Sequence, residues 1–174
     1  SGNKFNFKIE GTEDESFYHD IDTSNTVDGK LIYYFNDTND VRLDDTSNAG
    51  TVYVINGNNF TATGLYLTNN GYGMLLRNTT DAFVTNSVAE YNEVNGYWIH
   101  NSTNATLLYN SANNNYGDGI LLSDSLNGNI SFNEVLNNER NGIYVENSTG
   151  QSLICNVVMN NKESGIIIDN STDL

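Results

Sequence analysis

From residue 50 onward, short apolar runs alternate with Gly and Asn on a fixed step of 23 residues. The runs "TVYVI", "MLLRN", "YWIHN", "ILLSD", "IYVEN" and "IIIDN" follow Gly50, Gly73, Gly96, Gly119, Gly142 and Gly165 in turn. A second column on the same step reads Asn69, Asn92, Asn115, Asn138 and Asn161, and a third reads Ser87, Asn110, Asn133 and Asn156. Each unit carries about three strand-like segments, such as 143–145, 153–155 and 157–159. Gly and Asn, which suit left-handed and turn positions, separate them. A unit this short cannot bury its apolar face alone, whereas coils stacked about 4.8 Å apart can. The pattern predicts an all-β solenoid, a parallel β-helix over residues 50–174 with about 23 residues per coil. The asparagine columns become amide ladders along its corners. Residues 1–49 are expected to form an irregular acidic cap with one partial coil. There "LIYYFN" (31–36) matches "TVYVIN" (51–56) across the polar loop 37–48.

Strand alternation sets the first and third positions after each column glycine inward. The fourth is polar, as an outward position should be: Arg77, His100, Ser123, Glu146 and Asp169. The second must also face outward, yet it reads Val52, Leu75, Trp98, Leu121, Tyr144 and Ile167. Six coils make this an apolar stripe about 25 Å long. Monomers rarely leave such a patch bare. The N-terminal segment, another subunit or a ligand must cover it.

Charge narrows the partners. The net charge of −15 argues against nucleic acid and anionic membrane. No apolar run approaches the ~20 residues of a membrane span. The single cysteine, Cys155, excludes an intramolecular disulfide. Its column also holds Tyr109 and Phe132, which predicts a small buried apolar residue in a strand.

The stretch "NGIYVENSTGQSLICNVVMNN" resembles the coil repeat of NosD-type right-handed parallel β-helix proteins. Upstream, "YHDIDTSNTVDGKLIYYF" (18–35) resembles a segment found beside such coils in archaeal cell-surface proteins. The resemblance implies the fold and its right hand. It implies no single activity, since the family spans surface-layer-associated proteins, carbohydrate-active enzymes and a copper-enzyme maturation factor.

Read by column, most acids take asparagine roles. Asp124 stands with Asn78, Asn101, Asn147 and Asn170, and Asp118 with Asn95 and Asn141. Glu146 and Asp169 are different, because they lie one coil apart in one outward column and could serve as an acid and base pair. The pectinase-type signatures "NTD", "GHG" and "RIK" do not occur. Asp20, Asp22 and Asp28 are candidate calcium ligands, although their spacing is not that of an EF-hand loop. Two Met and two His make copper delivery an unsuitable role. Eight N-x-S/T sequons, at Asn36, Asn59, Asn78, Asn101, Asn104, Asn129, Asn147 and Asn170, are candidate glycosylation sites. Four of them share one corner column, where an Asx or Ser/Thr turn would spell the same motif.

The expected function is that of a non-catalytic, extracellular cell-surface protein that self-associates into an oligomer or polymer through the stripe. No catalytic residue and no cofactor other than calcium is expected. The alternatives are a module binding cell-surface glycans, with Trp98 and Tyr144 as stacking platforms, and a polysaccharide-acting enzyme using Glu146 and Asp169.

Overall fold

The computed structural model describes residues 2–173, and these form a right-handed parallel β-helix of about six coils. Among the described residues helix is limited to two short 3₁₀ turns, Asp14–Phe17 and Asp45–Ser47. The long sheet stacks Lys30–Asn36, Ala49–Ile55, Met74–Arg77, Tyr97–His100, Ile120–Ser123, Ile143–Glu146 and Ile166–Asp169 in parallel. The short strand Thr26–Val27 pairs antiparallel with Lys30–Asn36 and closes that edge. A second sheet runs from Arg42–Leu43 to Ser152–Ile154. The third side holds the pairs Tyr66–Thr68/Val88–Glu90 and Glu134–Leu136/Val157–Met159, linked through bridges at Ser111. The polar loop 37–48 is therefore no interruption. It contributes Arg42–Leu43 to the second sheet, which completes a first coil of its own.

The register departs from the uniform step at its start. Met74, Tyr97, Ile120, Ile143 and Ile166 align at 23 residues, whereas Val52 aligns with Met74 at 22. Two expected positions shift by one residue in consequence. Val52 faces the core, and Tyr53 takes the outward place beside Leu75. Likewise Asn70, not Asn69, begins the amide ladder, its backbone N–H donating to Asn92 Oδ1 at 3.1 Å. Asn69 instead turns the corner with φ 59°. Gly50 falls where the pairing shifts between Leu31 and Ile32, and a Cβ there would lie 2.4 Å from Val27. The glycine column begins properly at Gly73.

Each corner has the same grammar. A residue in the left-handed region reverses the chain, and the next residue turns inward, either to hydrogen-bond a neighbouring coil or, as at Ala82 and Ala105, to pack in the core. Asn101, for example, has φ 46°, and Ser102 after it is buried. A hydroxyl ladder follows: the N–H groups of Thr79, Ser102, Ser125 and Ser148 donate to the hydroxyl one coil on. This ladder has the same logic as the two amide ladders. Cys155 corrects a sequence expectation, since it is exposed with φ 52° and caps a corner. Tyr109 and Phe132 precede it at the same corner with φ 57° and 56°. Bulky side chains there cost about 1–2 kcal/mol each, which Gly64 and Asn86 at the same corner do not.

The N-terminal segment lies across the outward face of the first coils as a strap. Phe7, Ile9, Phe17 and Ile21 pack on Tyr34, Tyr53, Ile55 and Leu75 in a second apolar cluster outside the barrel. Leu75 is completely buried by it, so the chain itself roofs the start of the predicted stripe. Arg77 is drawn under the strap, 3% exposed, with its guanidinium 2.7 Å from Asp14 and over the Phe17 ring.

That bridge has a pH signature. Its hydrogen bond from Arg77 holds the Asp14 carboxyl below the ordinary aspartate value of 3.8. A lowered folded-state pKa stabilises docking above the unfolded value and loses it as pH falls through the folded one. Trp98, the only tryptophan, meets Phe17 edge-on at 6.2 Å and reports on the docking. Acid titration below about pH 4 should shift Trp98 emission to the red. In Asp14→Asn the emission should already be red-shifted at neutral pH, and identical titrations of the two proteins would refute the role of the bridge.

Candidate functional site on the open face of the long sheet

Beyond the strap the long sheet faces outward uncovered, and parallel pairing in strict register fixes what it presents. Trp98, Leu121, Tyr144 and Ile167 form one row, all partly exposed, and His100, Ser123, Glu146 and Asp169 the row beside it. Asp124 stands at the adjoining corner, its backbone N–H bonded to the Glu146 carbonyl.

The first group is centred on His100. Its Nδ1 lies 2.9 Å from Ser123 Oγ and 3.4 Å from Asp124 Oδ2, and Trp98 Nε1 donates to the same Ser123 oxygen at 3.0 Å. The residue types are those of a nucleophilic triad, but the geometry is not. A triad needs serine on one ring nitrogen and aspartate on the other. Here both approach Nδ1, so Ser123 is not activated and the group orients the imidazole. Burial, then the Arg77 charge, lowers the His100 pKa from 6.5, against Asp124 and Asp14, and leaves the ring neutral at neutral pH.

The second group lies one coil further on. Glu146 and Asp169 are direct partners on neighbouring strands, and Tyr144 Oη donates to Asp169 Oδ2 at 3.4 Å. Desolvation, followed by the Glu146 and Asp169 carboxylates, pushes the Tyr144 phenol up to about 12, so it stays protonated and serves as a donor. The structure thus gathers two carboxylates, a phenol and a neutral imidazole on one face, with the Trp98 ring at its strap end. Sequence columns supplied Glu146, Asp169, Trp98 and Tyr144. They missed the Ser123–His100–Asp124 contact, whose signal was a histidine and an aspartate at neighbouring columns one coil apart.

Other predicted residues lie elsewhere. Asp22 is occupied by Ser24 and Asn25, and Asp28 accepts from Asn6 at 2.6 Å. Asp20 is exposed near the strap. Among the described residues no group of three or more His, Cys, Asp or Glu is arranged to hold a metal ion, and nothing supports calcium. The sequon amides of Asn78, Asn101 and Asn170 donate to the residue above at the same corner, and Asn59 and Asn104 donate to Asp40 and Asp81. Asn36 donates to the His19 carbonyl, Asn129 accepts from Ser131, and Asn147 accepts from Asn170.

Fold and face define a β-helix with a polar, aromatic-bordered outer surface. The chain belongs to the family described as "Periplasmic copper-binding protein (NosD)", whose model matches residues 6–174. No curated protein has a matching sequence. Among solved structures the chain is similar to the enzymatically active domain of bacteriophage CBA120 tailspike protein 2, at 18% identity and a TM-score of 0.60 over 76% of this chain and 22% of that one. It is also similar to a double mutant of the periplasmic alginate epimerase AlgG, at 24% identity and a TM-score of 0.50 over 70% and 36%. The chain thus spans about a fifth and about a third of those proteins, and the likeness is one of fold. The family description supports a location outside the cytoplasm, and no helix among the described residues is long and apolar enough to cross a membrane.

Copper does not fit the residues present. It asks for clustered His, Cys or Met. His19 lies against Tyr34, His100 is held at Ser123, Met74 is in the core, Cys155 turns a corner, and Met159 ends a strand of the third side. No copper chemistry is assigned.

These findings correct the expectation of a non-catalytic surface protein that self-associates. Its warrant was a bare apolar stripe. The stripe loses Val52 to the core and Leu75 to the strap, and what stays open carries carboxylates, His100 and Tyr144 beside it. Solved structures similar in fold include a tailspike enzymatically active domain and a periplasmic alginate epimerase.

Proposed function

We propose that the protein is an enzyme acting on a neutral polysaccharide laid along the open face of the long sheet. The grouping of Tyr144, Glu146 and Asp169 on adjacent strands carries this reading. Strands about 4.8 Å apart place registered carboxylates near the separation of about 5–5.5 Å used by glycosidases that retain configuration. Asp169 attacks the anomeric carbon as the glycosidic C–O bond breaks, and Glu146 gives its proton to the leaving oxygen. Water then hydrolyses the glycosyl–Asp169 ester, returning a proton to Glu146. Trp98 offers an aromatic platform for a sugar ring, and His100 offers Nε2 to a hydroxyl. Alginate, the substrate in the epimerase's name, is anionic. Here Arg77 is buried and tied to Asp14, His100 is neutral, and the net charge is −15, so an uncharged glycan suits the face better. Residues 1–49 act as cap and strap, residues 50–174 as the coils, and the place of action is the cell surface, where such polymers lie.

The test is release of reducing ends from a panel of neutral polysaccharides. Trp98→Ala should raise KM about tenfold, equivalent to about 1.4 kcal/mol, with little change in kcat. Absence of both cleavage and retention across the panel would reject the proposal.

A further inference from the structure

The corner between the second and third sides carries a second groove, on a different side of the coils from the carboxylate pair. It is shallow, of about 400 Å³, with Asn86, Tyr109 and Phe132 along one wall and Val88, Ser111 and Glu134 along the other. Both walls advance by one residue per coil, so the groove repeats along the helix axis.

Three observations bear on what it takes. The first is backbone strain placed where it is not needed. Left-handed positions in this chain are filled by Asn or Asp, with Tyr91, Tyr109, Phe132 and Cys155 the exceptions among the non-glycine residues described. Two exceptions lie against each other here, centroids 5.1 Å apart with the rings tilted by 33°, and both are exposed, at 55% and 45%. Strained positions persist where function holds them. Secondly, the polar groups of the opposite wall, Ser111 and Glu134, are already ordered. Ser111 Oγ donates to Glu90 at 3.1 Å, and Asn113 Nδ2 donates to both Ser111 Oγ and Glu134 Oε1 at 2.8 Å. Thirdly, no Lys or Arg lines the groove, and the net charge of −15 argues against an anionic ligand.

We infer that this groove is a second glycan-binding site, for a neutral oligosaccharide lying along the helix axis with sugar faces on Tyr109 and Phe132. Its hydroxyls bond to Ser111 and Glu134. Aromatic surface beside fixed carboxylate and hydroxyl groups suits sugar rings, and a wall that repeats once per coil suits a repeating polymer. The site would hold the polymer while the long sheet acts on it, so the inference shares the glycan class of the proposed function but not its residues.

The corner itself supplies the decisive variant. Asn86 shows that asparagine fits this position, so Tyr109→Asn with Phe132→Asn removes the rings and relieves the backbone together. The probes are cellohexaose, mannohexaose, chitohexaose and maltohexaose, with a mannuronate hexamer and hexalysine as charged controls. Amide chemical shifts are followed at the groove in a Trp98→Ala/Tyr144→Ala background. Any effect of the long sheet is then separated, and failure there leaves this result readable. One neutral hexamer should perturb Tyr109, Phe132 and Ser111, and the double asparagine variant should weaken it about tenfold. The variant should also melt at the wild-type temperature or above it. The inference is overturned if no neutral hexamer perturbs the groove, if only hexalysine or the mannuronate hexamer does, or if the variant binds as the wild type does.

Discussion

Glu146→Gln and Asp169→Asn should each lower the release of reducing ends by a factor of about 10²–10⁴, the range typical of a lost acid–base group or nucleophile. Fold stability should barely move. Both side chains point outward at the end of the long sheet, Asp169 is exposed, and its one side-chain partner among the described residues is the Tyr144 hydroxyl at 3.4 Å. Each replacement keeps the shape and the hydrogen-bonding reach of the carboxylate and removes its charge. The double variant should be little worse than the poorer single one, because groups acting in one step lose their effect together. Circular dichroism melts of all three proteins give the control. Undiminished turnover in the double variant would remove these residues from the mechanism, and the neutral-glycan reading would then rest on binding alone.

Much of this molecule was legible in the sequence because a solenoid writes its contacts at a fixed step. A residue 23 positions on is the neighbour above, so columns such as Asn92, Asn115 and Asn138 are direct statements of contact. The same property explains the errors. The coil that starts at Val52 has 22 residues, and nothing local marks the missing one, so a uniform step of 23 places Val52 and Asn69 one position off. Cys155 was misread for a different reason. Tyr, Phe and Cys in one column look like a buried strand position, since aromatic residues almost never occupy left-handed corners. The strap was harder still. Its apolar residues, Phe7, Ile9, Phe17 and Ile21, have no repeat to announce where they dock, and only packing on Tyr53 and Leu75 reveals it. Glu146 and Asp169 could be paired from their column, but the stripe beside them read as an interface because the roof over its first part was invisible. The His100–Ser123–Asp124 contact depends on side-chain reach across columns, which residue spacing does not encode.

The largest expected stability effect lies in the ladder, at Asn138. Its Oδ1 accepts from the backbone N–H of Asn115 at 2.9 Å and from Asn115 Nδ2 at 3.0 Å. Its own Nδ2 donates to the Ala112 carbonyl and to Asn161 Oδ1, each at 2.9 Å. The side chain therefore closes four hydrogen bonds at a site 1% exposed. Asn138→Leu keeps the branched heavy-atom shape but leaves the backbone N–H of Asn115, one of its two Nδ2 hydrogens and the Ala112 carbonyl without partners, while Asn115 Nδ2 keeps its bond to the Ala89 carbonyl. Water cannot replace the lost amide where the corner is dry. A buried polar group deprived of its partner costs about 1–3 kcal/mol, and relaxation of the last coils limits the sum, giving about 3 kcal/mol for the substitution. Asn138→Asp separates the parts: it retains Oδ1 as acceptor and loses the Nδ2 donor, so its cost should fall between wild type and leucine. Asp118 sets the precedent, since its Oδ1 still accepts the Asn141 N–H and amide at 2.9 and 2.8 Å in a buried column. Asn137→Leu, at the exposed corner beside it with φ 57°, controls for backbone effects alone. Chemical denaturation that ranks Asn138→Leu with or above Asn137→Leu in stability would show that the amide column is incidental to the fold.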